Sequence, residues 1–290
     1  MEINQLYQCA AVTLKGFNRV FGLNGYQIPT DKDSICKYMP LKRLEADINN
    51  SRITFVSPST WEDSFETRYY KLKNYKSKLG FAEPSVFCMC LTGKHAANED
   101  ALWRRYAPQN DHLVKVYFKI DDLFRILDSF AAKYNAEIYV GEAIYADKEH
   151  IEAITPTKNH TFFSSPFKME NYLSLMSLKR GAFRYENEVR IFVVFRDGVS
   201  DDSIVEYYTS KKAQEKLLFV GYSNSNVANN HSHIGEVRVS PYPITDANTP
   251  KPDTKTDLNN RGYDISKRLP GFKVTCSRLF EGYSKCRLKI

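Results

Sequence analysis

The alternation of apolar and polar residues predicts short strands and helices that follow one another along the chain. Runs of β-branched and aromatic residues indicate strands at 35–38, 52–56, 85–91, 113–120, 138–145 and 217–222. Apolar residues spaced three or four apart indicate helices after Pro40, after a capping Asp121, over 169–176 and over 206–216. The sequence therefore predicts an α+β fold: a mixed, largely antiparallel sheet in two facing halves, with short flanking helices.

The stretch FRYENEVRIFVVF, residues 183–195, has the composition of a mostly buried central strand. Because residues two apart on a strand share a face, Glu186, Glu188 and Arg190 should point the same way. Buried carboxylates are costly unless they are paired or used in chemistry. The two glutamates are therefore either catalytic or members of ion pairs with Arg184 and Arg190. Spacing alone favours the ion pairs, because structural ion pairs outnumber catalytic ones, but it does not exclude catalysis.

Composition places the chain among globular proteins. Its 290 residues can bury a full core, and 19 Tyr and 18 Phe give it a high aromatic content. No apolar run approaches the roughly 18 residues that span a bilayer. An acidic residue at position 2 and the lack of an apolar segment behind it are atypical of a secretory signal. We therefore expect a cytoplasmic protein that does not enter a membrane.

The net charge and the cysteines give little evidence about the function of the chain. A net charge of +7 favours acidic partners such as nucleic acid or a nucleotide, although no block of Lys or Arg stands out. The six cysteines form no CxxC pair, and Cys88 and Cys90 lie in an apolar run where cysteine acts as a small hydrophobe. His231 and His233, in a polar loop, are expected to be solvated. We expect no bound metal.

The composition of the chain changes near residue 241. A polar run with four prolines follows, PYPITDANTPKPDTKTDLNN, which is typical of a linker or a surface loop. The last thirty residues are basic and contain apolar anchors. The sequence therefore predicts one domain over 1–240, with a linker and a docked basic extension over 241–290.

Five short segments form an ordered set: Cys36-Lys37-Tyr38, Phe55-Val56-Ser57-Pro58, Trp61-Glu62-Asp63-Ser64-Phe65-Glu66, Leu102-Trp103-Arg104-Arg105-Tyr106-Ala107 and Tyr185-Glu186-Asn187-Glu188-Val189-Arg190. In order and spacing they resemble the bacterial domain-of-unknown-function family 2971, over about residues 35 to 222. Glu62 and Ser64 stand where the family pattern has Asn and Pro. These departures alter the turn chemistry of the loop but keep Asp63 and Glu66.

The layout of that family is similar to the ADP-ribosyltransferase fold, and this similarity implies a site. In that fold, an early strand offers a His or Arg, a middle strand offers a Ser or Tyr, and a late strand supplies a catalytic Glu. Glu186 and Glu188 match the late position, Ser57 the middle one, and Lys37 or Tyr38, imperfectly, the early one. A one-residue change of register decides which of the last two faces the cleft.

The implied reaction cleaves the nicotinamide–ribose bond of NAD through an oxocarbenium-like state. Glu188 would bind the ribose 2′-OH and stabilise the developing cation, and Glu186 would orient or deprotonate the acceptor. The side chains expected to stack on the bases are Tyr38, Trp103 and Tyr106. The cations expected to meet the pyrophosphate are Lys37, Arg104 and Arg105. No Gly-rich phosphate loop is present, which disfavours a Rossmann dehydrogenase or a P-loop enzyme.

Other interpretations remain open at this stage. Trp103 and Tyr106 are more typical of core anchors than of stacking platforms, and Asp63 and Glu66 can cap the element that follows them. A metal-dependent nuclease would use the carboxylates of Asp63, Glu66, Glu186 and Glu188. A non-enzymatic protein would use its basic surface to bind nucleic acid or a partner. The first expectation is an ADP-ribosyltransferase acting on RNA, DNA or protein, as a bacterial toxin or anti-phage effector with an antitoxin or defence-system partner.

Overall fold

A computed structural model describes residues 10–27, 35–61, 63–67, 85–93, 99–107, 111–153, 169–209, 214–222, 231–243 and 254–279. The strands are β1 Val12–Thr13, β2 Val20–Gly22, β3 Ile35–Pro40, β4 Arg52–Val56, β5 Ser85–Gly93, β6 Leu113–Phe118, β7 Glu137–Glu142, β8 Ile144–Ala146, β9 Leu178–Arg180, β10 Glu188–Phe195, β11 Val205–Thr209, β12 Gln214–Gly221, β13 Ile234–Val239 and β14 Val274–Cys276. The helices are α1 Leu41–Asn49, α2 Ser64–Thr67, α3 Glu99–Arg105, α4 Ile120–Tyr134, α5 Lys148–Ala153, α6 Met169–Met176 and α7 Lys255–Arg268. The predicted α+β class with a mixed, mostly antiparallel sheet is confirmed.

Twelve of the described strands form one sheet that forks at β5. One edge of β5 pairs with β10, which continues through β7 and β2 to β1. Its other edge pairs near one end with β3, leading to β6, β13 and β14, and near the middle with β4, leading to β12 and β11. Within this sheet the parallel pairs are β2 with β7 and β13 with β14. Strands β8 and β9 form a separate parallel pair.

Strand β10 is the centre of the sheet, and all eight of its residues are buried. Its β-branched and aromatic run packs on both faces, as the sequence predicts. One face carries Val189, Ile191 and Val193, which join the larger core together with helix α4. The other face carries Phe192 and Val194, which pack against helix α6. Two helices therefore cover opposite faces of the central strand.

The prediction that 183–195 is one continuous strand is wrong at its beginning. Residues 181–186 form a short 3-10 helix, and β10 begins only at Glu188. Asn187 between them has a left-handed backbone with φ of 43°, a conformation that Asn tolerates better than most residues. The alternation of aromatic and polar residues continues from the 3-10 helix into the strand, because aromatic side chains occur in both conformations. The sequence pattern therefore does not mark the turn.

Two helix predictions need correction. The expected helix over 206–216 is wrong, because β11 and β12 occupy this region as paired antiparallel strands. Its Tyr-rich sequence, VEYYT, has the β propensity that the helical assignment overlooked. Asp121 is not a cap, because α4 begins one residue earlier and has Lys119 at the capping position. The helix after Pro40 and the helix over Met169–Met176 are confirmed.

The region after residue 240 contributes regular structure. Residues 244–253, half of the predicted linker, lie outside the described residues, as do the lysine- and tyrosine-rich segment 69–78 and residues 280–290. Helix α7 follows, and β14 then pairs in parallel with β13. The Sγ atom of Cys276 donates to the carbonyl of Leu258, connecting the strand to the helix. The boundary at residue 240 stays a prediction.

Candidate functional site

Five ionisable side chains meet at the N-terminal end of β10: Glu66, Lys179, Glu186, Glu188 and Arg190. We call this set the buried charge cluster. Each of its members is at most 9% exposed. The Lys179 ammonium on β9 donates to Glu186 Oε2 at 2.8 Å and to Glu188 Oε2, and it lies 3.6 Å from Glu66 Oε1. One ammonium therefore joins two neighbouring carboxylates, Glu186 and Glu188, to Glu66, which is distant in sequence.

Arg190 is the second cation of the cluster and is fully buried. Its Nε donates to Glu188 Oε1 at 2.6 Å, its Nη2 to Glu66 Oε2 at 2.8 Å, and its Nη1 to the Met176 carbonyl. The guanidinium lies over the Trp61 ring, 4.4 Å from the centroid. These contacts satisfy the forked donors of an arginine that has no access to water.

The buried charge cluster changes the pKa values of Glu188 and Glu66 in opposite directions. Burial alone would raise the pKa of Glu188, but Arg190 and Lys179 outweigh it and lower the pKa to about 2. Burial dominates at Glu66 and raises its pKa, although the same two cations oppose the change. Burial would lower the pKa of Lys179, yet Glu188 and Glu66 raise it. At neutral pH Glu188 is therefore a carboxylate and Lys179 an ammonium.

The left-handed turn at Asn187 brings the two glutamates to the same lysine. Glu186 ends the 3-10 helix and Glu188 begins the strand, so the sharp turn between them directs both carboxylates at Lys179. The Gly93 amide donates to the Asn187 carbonyl at 2.8 Å. A Cβ on Gly93 would lie 2.8 Å from Asn187 Nδ2 and 3.1 Å from the Asn187 carbonyl oxygen, so a side chain there would crowd the turn.

Aromatic rings line the side of the cluster that reaches the surface. Tyr38 and Tyr106 stack with ring centroids 5.9 Å apart, and Trp103 packs edge-on against Tyr38 at 4.8 Å. The Tyr106 hydroxyl donates to Glu186 Oε2 at 3.2 Å. Trp103 is fully buried, whereas Tyr106 is 37% exposed. The predicted stacking residues therefore do lie together, with Trp103 as a core anchor and Tyr106 at the surface.

Arg105 closes the same side of the cluster. Its Nε lies 3.1 Å from Glu186 Oε1, and its side chain is 44% exposed. Glu186 Oε1 accepts no hydrogen bond within the part of the chain that the structure describes, so this contact is an ion pair without hydrogen-bond geometry. The guanidinium also lies over the Phe183 ring at 4.6 Å. Glu186 therefore has one oxygen held inside by Lys179 and the other facing a cation at the surface.

The sheet register decides between Lys37 and Tyr38. Cys36 pairs with Thr92, and Thr92 pairs with Glu188, so these three side chains share a face. Tyr38, two residues after Cys36, is on that face as well, and Lys37 is on the opposite one. The structure therefore separates Lys37 from the charge cluster.

Two further predicted residues make their described contacts outside the cluster. The Ser57 side chain accepts from the Ser59 amide and caps the short 3-10 helix Pro58–Thr60. Arg104 pairs with Asp100 at 3.0 Å, and its guanidinium lies over the Tyr242 ring. It is Arg105, the next residue, that reaches Glu186.

Sequence reasoning missed Lys179 and Tyr145. The Tyr145 hydroxyl accepts from the Glu188 amide at 2.8 Å, and burial is the main cause that raises its pKa to about 12. Lys179 lies in a three-residue strand whose sequence has no periodicity to read. The one available signal was charge balance, because two buried glutamates beside a single arginine need a further cation.

The carboxylates proposed for a metal site face cations instead. Asp63 Oδ2 lies 2.8 Å from Arg180 Nη2, and its Oδ1 accepts from the Phe65 amide at the beginning of α2, as expected of a cap. The cluster carboxylates surround Lys179 and Arg190. Among the described residues, no three His, Cys, Asp or Glu side chains are grouped so that they could hold a metal ion.

Comparison of the chain with protein-family models, with curated proteins and with solved structures finds no match. The resemblance to family 2971 therefore stays a prediction. None of the helices in the described ranges has the length and apolar character needed to cross a membrane.

Proposed function

We propose that this chain is an NAD-dependent mono-ADP-ribosyltransferase with Glu188 as its catalytic carboxylate. The observation that carries the proposal is the pair of buried glutamates, Glu186 and Glu188, held by one lysine beside a stacked aromatic wall that opens to the surface. Glu188 is kept ionised by its two cations. A fixed carboxylate in a low-dielectric site stabilises an oxocarbenium-like ribose far better than it would in water.

The reaction assigns a task to each part of the site. The C1′–N bond of NAD breaks, its electron pair leaves with neutral nicotinamide, and an acceptor nucleophile bonds to C1′ and releases a proton. Glu188 would bind the ribose 2′-OH and balance the developing positive charge. Glu186 would orient the acceptor and take its proton. Tyr38 and Tyr106 provide a stacked aromatic surface for a ring of the substrate.

Arg105 supplies the contact for the NAD pyrophosphate in this scheme. It is half exposed and pairs with Glu186 without hydrogen-bond geometry, so a phosphate can compete for its guanidinium. Withdrawal of Arg105 toward the phosphate would free Glu186 Oε1 for the acceptor. Substrate binding and activation of Glu186 would then be a single event.

The topology also supports an ADP-ribosyltransferase-like fold. A strand, a helix and a strand, β3–α1–β4, lead into a sheet that forks at β5, and the glutamates lie at the start of the neighbouring strand β10. In this proposal, the two arms of the fork, one beginning with β3 and the other with β4, would be the two halves expected of that fold. A cytoplasmic bacterial toxin or anti-phage effector acting on nucleic acid or protein, controlled by an antitoxin or defence partner, agrees with the basic composition.

The test is nicotinamide release from NAD by the purified full chain, with and without RNA, DNA and cell lysate. Glu188→Gln should abolish release, and the matched control Glu206→Gln, which changes an exposed glutamate on β11, should retain it. Because Glu188→Gln leaves Lys179 and Arg190 undercompensated, circular dichroism and thermal unfolding must establish that the variant is folded at the assay temperature. Release that persists in a folded Glu188→Gln variant, or no release by wild type in any mixture, would refute the proposal.

The metal-dependent nuclease is the weaker candidate. The described ranges contain no three His, Cys, Asp or Glu side chains grouped so that they could hold a metal ion, and the carboxylates of this candidate already pair with Lys179, Arg190 and Arg180. Nucleic-acid cleavage by the purified chain that stops on addition of a chelator would revive it. NAD-dependent release that is insensitive to chelator would exclude it.

A further inference from the structure

A polar pocket lies on the face of the sheet opposite the buried charge cluster. It is between helix α1 and the two arms of the sheet that branch from β5 through β3 and through β4. Its closed interior measures about 20 Å³, enough for about one water, and the space reaches about 350 Å³ only when the open mouth is counted, so a larger group would lie partly in the mouth. Apolar side chains such as Leu44 and Phe118 form most of its wall. Its polar lining comes from six residues: Lys37, Asp47, Arg52, Thr54, Tyr222 and His233. None of them belongs to the buried charge cluster.

Two of these lining residues carry buried polar atoms without hydrogen-bond partners among the described residues. His233 is 2% exposed, so the prediction that it is solvated is wrong, and its Nδ1 makes no hydrogen bond there. The buried Nε of Arg52 also makes none, although Asp47 Oδ1 lies 3.7 Å away. Because more than about 90% of buried polar groups are paired, two exceptions around one pocket indicate that a further polar group binds there.

The charges around the pocket favour an anion. Its one acidic residue, Asp47, accepts a hydrogen bond from Thr54 Oγ1 at 2.5 Å and faces Arg43 at 3.8 Å as well as Arg52. One carboxylate therefore serves three cations, counting Lys37. Burial lowers the pKa of Lys37, and Asp47 offsets this only in part.

Histidine 233 adds a neutral donor to the pocket. Burial is the main cause that lowers the pKa of His233 to about 3, so the ring is uncharged at neutral pH. A neutral imidazole carries one N–H, which can lie on Nδ1 and point to a ligand oxygen. The flat ring packs between Phe118 and Tyr222, which fixes its orientation.

We propose that this pocket binds a small oxyanion, the phosphate or carboxylate group of a metabolite, between Lys37, Arg52 and His233. Hydrogen bonds from charged donors to such a group are short and strong, and an arginine can offer two in parallel. The group would supply the negative charge that Asp47 alone does not. The site is independent of the proposed transferase chemistry, because Lys37 and Glu188 face opposite sides of the sheet.

The test is calorimetric titration of the full chain with inorganic phosphate and, separately, with acetate, at constant ionic strength set by sodium chloride. We expect saturable anion binding that depends on Lys37 and Arg52. Lys37→Met and Arg52→Gln should each weaken it at least tenfold. The matched control Lys42→Met, which changes an exposed lysine on α1, should leave it unchanged.

The outcomes separate the sources and the alternatives. Tighter binding of phosphate assigns the site to phosphorylated ligands, and tighter binding of acetate assigns it to carboxylates. Two variants are included so that misfolding of one still leaves a measurement. No saturable binding by folded wild type means that the pocket holds water only and overturns the proposal. Equal weakening in Lys42→Met and Lys37→Met overturns it too, because that result reflects overall charge.

Discussion

Replacing Lys179 by methionine removes the ammonium that joins three carboxylates in the buried charge cluster. Methionine keeps most of the length and the apolar stem of lysine, so the change is mainly one of charge. Glu66, Glu186 and Glu188 would remain, with Arg190 buried beside them and Arg105 at the surface. We expect a large loss of stability, because these carboxylates are too deeply buried for water to replace the ammonium.

The magnitude follows from the pKa of Glu188. Its fall from 4.5 to about 2 in the folded state corresponds to about 3 kcal/mol of net stabilisation of the carboxylate. Lys179 supplies part of this and also pairs with two more glutamates. Removal of one partner from a buried ion pair costs about 3–5 kcal/mol. Since whole domains are stable by about 5–15 kcal/mol, Lys179→Met should lose a substantial share of the total.

The assay is urea unfolding at pH 7, with Lys148→Met as the matched control. Lys148 is 59% exposed and lies 3.9 Å from Glu152, so its loss should change stability by at most about 1 kcal/mol. The double variant Lys179→Met/Glu186→Gln should recover part of the loss, because it removes one of the unpaired carboxylates. A Lys179→Met variant as stable as Lys148→Met would refute the view that this ammonium holds the cluster together.

Two further predictions concern the same region. The pKa of Glu188 is lower in the folded chain than in the unfolded one, so its contribution is complete above about pH 4.5 and should be lost as the pH falls toward 2. Urea unfolding at pH 6, 4 and 3 should show falling stability, although the raised pKa of Glu66 acts in the opposite direction; constant stability would contradict the assignment. Asn187→Ala should cost about 1 kcal/mol in thermal unfolding, because alanine is strained at φ of 43°, whereas Asn187→Gly should be nearly neutral. Equal effects of the two substitutions would show that backbone conformation is not the cause.

The sequence predicted the parts of the fold that depend on local pattern. The apolar run after Arg190 identified the central strand, and the spacing of Leu41, Leu44 and Ile48 identified helix α1, because burial on one face imposes these periods. The fork at β5 could not be predicted, because the pairing of its strands depends on contacts between residues that are distant in the chain. The helix assigned over β11 failed for a different reason, because the β propensity of its Tyr-rich sequence was overlooked.

The candidate site was predicted only in part. Glu186 and Glu188 were identified, but their common direction was ascribed to a continuous strand, whereas a left-handed turn at Asn187 produces it. Lys179 enters the site from a short strand that pairs with β8, outside the main sheet, so no local pattern points to it. Tyr38 was separated from Lys37 only by the register of β3, which a one-residue shift would invert.

The position of β10 has a consequence for how the chain reaches its folded state. Glu188 pairs with Thr92 and Phe195 with Ser85, so β10 and β5 are joined across about 100 residues of intervening chain. Pairing over such separations closes long loops and slows folding. During synthesis, the edges of β5 and β7 that pair with β10 stay unpaired until residue 195 has emerged from the ribosome. An unpaired strand edge can pair with another chain. The strand that unites the sheet is therefore also the one whose delay leaves the nascent chain most prone to aggregate.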